Sequence, residues 1–131
     1  MHPVQNLWKI KWLLKMIKQI PSKEIKEYLK KNTKCVLLDV RTPEEWDMFG
    51  RPNGKELGLK TYFLTIQDDN FINDFKKLSI NKDHEILSIC KSGERSQFVA
   101  GLLEKENYKS ANISDGFDGW LSCDLPSLKE I

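Results

Sequence analysis

Residues 90–96 read Cys-Lys-Ser-Gly-Glu-Arg-Ser, a cysteine followed closely by two cations, a glycine and two hydroxyls. A thiol attacks only as its thiolate, and thiolates persist where cations or a helix N-terminus compensate their charge. Lys91 and Arg95 supply cations, and the apolar stripe Phe98, Val99, Leu102 and Leu103 predicts a helix over 96–107. Cys90 therefore stands just ahead of a helix N-terminus, with Gly93 free to turn backbone N–H groups inward as an anion nest. The chemistry this favours is covalent catalysis at Cys90, with Lys91, Ser92, Gly93, Glu94, Arg95 and Ser96 as substrate-binding and loop residues. A free cysteine is more commonly a small buried hydrophobe, the role left to Cys35 in its apolar run and to Cys123 near the C-terminus. His84 lies about 16 Å of extended chain before Cys90 and is too distant to serve as its base, which argues against a Cys-His protease.

Two buried strands are needed to place this loop. The run 85–90 (EILSIC) ends at Cys90, and 35–40 (CVLLDV) is a continuous aliphatic run of the kind buried on both faces of a parallel sheet. The second run delivers Asp39 and Arg41 to a strand's carboxyl end, where open α/β sheets form their ligand crevice. Thr42-Pro43-Glu44-Glu45 is a capping box that predicts a short helix to about residue 49, ended by Gly50 and Pro52. Further along, 60–66 and 110–114 read as strands, 71–78 as a helix and 117–121 as a helical turn, while Ser22 caps a helix to about residue 30. Strands and helices in alternation give an α/β fold with a mostly parallel central sheet flanked by helices.

The composition bounds the function from outside. The chain has 131 residues, a common size for one domain, and its 31% charged and 40% hydrophobic content excludes disordered and low-complexity classes. Three cysteines without a CxxC pair form neither a disulfide framework nor a zinc site of usual spacing, so no metal and no cofactor are expected, and a reducing, cytoplasmic setting is. Residues 1–34 hold nine lysines against Glu24 and Glu27, whereas the remainder holds 12 basic against 17 acidic side chains. A basic excess confined to one quarter does not make a nucleic-acid partner. It arises partly in residues 1–15, a basic amphipathic extension in which Leu7, Ile10, Leu13 and Leu14 share a helical arc opposite Lys11 and Lys15. No apolar run approaches a membrane span, so this extension is expected to pack on the domain, and membrane association is not expected.

The blocks LLDVRTPEEW (37–46), CKSGERS (90–96) and GFDGW (116–120), in this order and at these separations, resemble the rhodanese-like sulfurtransferases in their single-domain form. The resemblance implies a rhodanese-like domain over 16–131 with an edge strand at 16–20. It implies that Cys90 takes a sulfane sulfur from a small anionic donor such as thiosulfate, holds it as a persulfide and passes it to cyanide or to a thiol or protein acceptor. Asp39 and Arg41 would brace the loop, and Lys91 and Arg95 would attract the donor. Dual-specificity phosphatases of similar architecture carry Cys-x5-Arg, but here four residues separate Cys90 from Arg95, a smaller cradle suited to one sulfur atom. The segment 49–60 lacks the histidine usual in the family, which leaves substrate preference open. A carrier or interaction module with a dedicated protein partner is the alternative. Trp120, after a Gly pair, is read as core.

Overall fold

The continuous aliphatic runs become parallel strands buried on both faces. The computed structural model describes residues 17–67 and 69–129, so the extension at 1–15 lies outside the described residues. Strands β1 (Lys18–Ile20), β2 (Cys35–Asp39), β4 (Lys60–Phe63), β5 (Glu85–Ile89) and β6 (Lys109–Ile113) form one sheet in the order β1-β6-β5-β2-β4. Every pairing in it is parallel. Five α-helices cross between or follow these strands: α1 (Ile25–Lys31), α2 (Pro43–Phe49), α3 (Phe71–Lys77), α4 (Glu94–Lys105) and α5 (Gly116–Ser122). None of them is long and apolar enough to cross a membrane.

Alternation along the strands sorts the core onto the two faces of the sheet. Leu37, Leu87, Ile89, Ala111 and Ile113 face Ile25, Phe117 and Trp120, while Val36, Leu38, Val40, Ile86 and Cys90 face Phe71, Phe75, Val99 and Leu103. Trp120 is fully buried and donates to the Pro126 carbonyl at 2.7 Å, a core residue as its position suggested. Neighbouring strands β2 and β5 run in register from Cys35 opposite Glu85 to Asp39 opposite Ile89. The residues that follow them, Arg41 and Cys90, therefore emerge at the same end of the sheet.

The structure shifts several boundaries, each for a local reason. Thr42 caps α2 as expected, accepting from the Glu45 amide while the Glu45 side chain accepts from the Thr42 amide. Ser22 caps nothing: residues Ser22–Glu24 form a 3-10 turn, and the Ser22 amide and hydroxyl both donate to Asp115 Oδ1, at 3.0 and 2.8 Å. Helix α4 begins at Glu94, two residues earlier than the apolar stripe indicated, because Gly93 adopts φ +106° and turns the chain directly into the helix. The edge strand at the N-terminal side is shorter than 16–20, and the strand expected over 60–66 ends at Phe63. A two-stranded antiparallel ribbon, β3 (Arg51–Pro52) with β7 (Ser127–Leu128), joins segments too short and too distant in sequence to be read as strands.

Candidate active site

Cys90 directly follows β5 and is 1% exposed. Its Sγ receives the Gly93 amide at 3.1 Å and lies 3.2 Å from the Ser96 hydroxyl, so a backbone N–H and a neutral hydroxyl from the first turn of α4 contact the sulfur. The loop can close this tightly because of two glycines. A Cβ on Gly93 would lie 2.2 Å from the Ser114 carbonyl oxygen, and one on Gly116, at φ +61°, would lie 2.4 Å from the Lys91 carbonyl oxygen. The start of α5 then grips the loop backbone, the Phe117 amide donating to the Cys90 carbonyl at 2.7 Å and the Asp118 amide to that of Lys91 at 3.0 Å.

Asn112 fixes the other side of the loop. It is 2% exposed, and its Nδ2 donates to the Gly93 carbonyl at 3.1 Å and to Gln19 Oε1 at 2.9 Å. Its Oδ1 consequently faces the Ser96 hydroxyl at 2.6 Å. A hydroxyl carries one proton. Ser96 can give it to Asn112 while Cys90 is a thiol and turn it to the sulfur once Cys90 is a thiolate.

The remaining loop residues point elsewhere. Lys91, Ser92 and Glu94 are exposed: Lys91 pairs with Asp118 at 3.1 Å, and the Ser92 hydroxyl donates to Glu94 at 2.6 Å. Arg95 forms a two-pronged ion pair with Glu45, at 2.6 and 2.8 Å. Those hydrogen bonds from Arg95, with further ones from Thr42, hold the Glu45 carboxyl down to about 2, and the carboxylate in turn raises the Arg95 guanidinium. Glu45 was legible as a helix-capping residue but not as the partner of the loop arginine, which lies 50 positions away.

Asp39 and Arg41 are fully buried and bonded to each other, Nη2 to Oδ2 at 2.8 Å and Nε to Oδ1 at 3.1 Å. Arg41 also donates to the Gly50 carbonyl at 2.9 Å and stacks its guanidinium 4.3 Å from the Phe117 ring centroid. Its link to Cys90 thus runs through Phe117, whose amide holds the Cys90 carbonyl. Cys35 is buried, and burial pushes its thiol up to about 11, whereas Cys123 is exposed. No metal-binding cluster of His, Cys, Asp or Glu occurs among the described residues.

The segment 49–60 enters β3 and a 3-10 turn, Gly54–Leu57, and lines a groove of about 600 Å³ with Leu59, Phe63 and Leu128. That groove includes no residue of the Cys90 loop. A second cleft of about 450 Å³, lined by Gln19, Ser92, Gly93, Glu94 and Asn112, adjoins the loop.

The family model described as rhodanese-like domain matches residues 22–123. An uncharacterised protein of Rickettsia prowazekii is 35% identical over 120 residues, 85% of this chain and 97% of that one. A sulfurtransferase of Allochromatium vinosum is 24% identical over 112 residues, 85% of this chain and 94% of its own. Among solved structures, the crystal structure of Rv0390 from M. tuberculosis superposes with a TM-score of 0.70 at 25% identity, covering 86% of this chain and 98% of that one.

Proposed function

The chain belongs to the rhodanese-like family, and from that premise we propose that it is a sulfurtransferase in which Cys90 carries the transferred sulfur as a persulfide. The Cys90 thiolate attacks the outer sulfur of a sulfane donor, of which thiosulfate is the simplest. A new S–S bond forms on Cys90, and the donor's own S–S bond breaks with its electron pair leaving on the departing group. A thiol acceptor, or cyanide, then attacks the outer sulfur and returns Cys90 as thiolate. The observation that carries this reading is the contact of Cys90 Sγ with the Gly93 amide and the Ser96 hydroxyl ahead of α4. Donors fixed at the place where negative charge develops stabilise it without reorganising. The four residues between Cys90 and Arg95 leave a cradle for one sulfur rather than a phosphoryl group, and Arg95 is already engaged by Glu45.

Intact mass after incubation with a sulfane donor tests the proposal. The wild-type protein is expected to gain the mass of one sulfur atom, localised to Cys90 and discharged by cyanide. Cys90→Ser is expected to gain none while keeping its fold, and aryl phosphate hydrolysis is expected to be negligible. Turnover surviving in Cys90→Ser, or robust phosphatase activity in the wild type, would sink it.

A further inference from the structure

The charges around Cys90 bear on which donor it accepts, a question that rests on the sulfurtransferase reading above. Lys91 and Arg95, the two cations of the loop, are paired with Asp118 and Glu45, and Arg41 behind Phe117 is paired with Asp39. Glu94 adds a further carboxylate on the loop itself, hydrogen-bonded by the uncharged Ser92 hydroxyl, with no cation beside it among the described residues. The groups that contact the sulfur are likewise uncharged, a backbone amide and a hydroxyl. Among the described residues an incoming dianion therefore meets matched pairs and one carboxylate in excess, where a thiosulfate site would hold an open cation.

The exposed rim supplies something different. Phe49, 41% exposed, lies beside Lys91, whose Nζ is 5.8 Å from its ring centroid, and the adjacent Met48 is 74% exposed. This is apolar surface suited to the organic part of a donor.

We propose that Cys90 is loaded from an organic persulfide, R–S–SH, and that Glu45 sets this preference over thiosulfate by neutralising Arg95. Glu45 is well held for the task, since the Thr42 amide and hydroxyl at the start of α2 bind the carboxylate that grips Arg95. In the loading step the Cys90 thiolate forms an S–S bond to the outer sulfur of R–S–SH. The donor's own S–S bond, between its inner and outer sulfurs, breaks, its electron pair leaves on the inner sulfur as RS⁻, and RS⁻ takes a proton from water. The Cys90 sulfur is oxidised as the donor's inner sulfur is reduced, and no other oxidant is required. The same attack on thiosulfate would bring a thiolate against a dianion, with the loop cations among the described residues already paired.

The test compares kcat/KM for loading of Cys90, read by intact mass on the full chain, with thiosulfate, cysteine persulfide and a peptide bearing one persulfidated cysteine. Glu45→Gln retains a capping-box side chain at the start of α2 while removing the carboxylate charge that neutralises Arg95. It is expected to shift the thiosulfate-to-persulfide ratio about fivefold toward thiosulfate, chiefly through KM for thiosulfate, and Glu94→Gln is expected to shift it the same way. In the wild type, loading by thiosulfate is expected not to slow as ionic strength rises from about 0.02 to about 0.2 M, because no attraction is there to be screened. The faster of the two organic arms identifies the persulfide as one on a small thiol or one on a protein cysteine. An unchanged ratio in both variants, or a steep fall of the wild-type thiosulfate rate with salt, overturns the preference for organic persulfides while leaving Cys90 as sulfur carrier. If none of the three donors loads the wild type, the sulfurtransferase reading itself fails.

Discussion

Arg41 is the largest charged side chain buried in the described structure, and Asp39 is what makes its burial tolerable. Removing one member of a buried pair strands the other charge, which costs several times more than the pair itself contributes. Asp39→Ala is therefore expected to lower stability by about 3 kcal/mol, a fall of order 10 °C in Tm for a domain of this size. Because Arg41 packs on the Phe117 ring and the Phe117 amide holds the Cys90 carbonyl, persulfide loading should fall with it. Thermal melting and loading rate measured on the same variant check this, and a variant that melts and turns over like wild type would leave the pair without either role. At this scale the sequence is uneven. Cys90, Gly93 and Ser96 could be singled out because they lie within six positions of one another and the chemistry is local. Asn112 could not, since its partners come from positions 93, 96 and 19. The one signal it leaves is an amide side chain between Ala111 and Ile113 in a strand that is otherwise buried.

Helix α2 does two jobs with one carboxylate, capping its own N-terminus and holding the arginine of the Cys90 loop. The Glu45 carboxyl is held at about 2, below its usual 4.5. A lowered acid favours the folded state above the usual carboxylate range and loses that contribution as protons bind. Stability should accordingly drop as pH falls from about 4.5 toward 2, and the acid limb of Glu45→Gln should be shallower over this window. Chemical unfolding at stepped pH measures both, and superimposable acid limbs would assign the drop to other carboxylates. The capping box itself was fully legible, because Thr42, Pro43 and Glu45 act within one turn. Ser22 misled for the opposite reason: nothing local marks that its hydroxyl goes to Asp115 instead of to its own helix. The apolar pattern marks the start of α4 two residues late because hydrophobic periodicity begins at the first inward side chain, whereas the backbone turn is made by Gly93.

Over the whole molecule, the residue patterns were enough to place four of the five parallel strands, since a strand covered on both sides must be apolar throughout, whereas the edge strand β1 was implied only by the family resemblance. The order in which those strands sit side by side is a long-range property, and so is the ribbon of β3 and β7 that closes one flank. That order gives one short element an influence out of proportion to its length. Strand β1 is three residues long, lies at the edge of the sheet and pairs with β6 alone, yet its Gln19 is one of the two partners of Asn112 Nδ2. Edge segments of this kind open at the low end of a protein's range of local unfolding free energies. Each opening of β1 withdraws Gln19 and leaves the Gly93 carbonyl as the remaining acceptor of Asn112 Nδ2, so the amide that grips the loop is itself less firmly held. Amide exchange at residues 18–20 and alkylation of Cys90 should then rise together as denaturant is added below the global transition. An alkylation rate that stays flat while β1 exchanges would uncouple them. If they move together, access to Cys90 is set by the fraying of a strand whose nearest tie to it is a chain of side-chain hydrogen bonds.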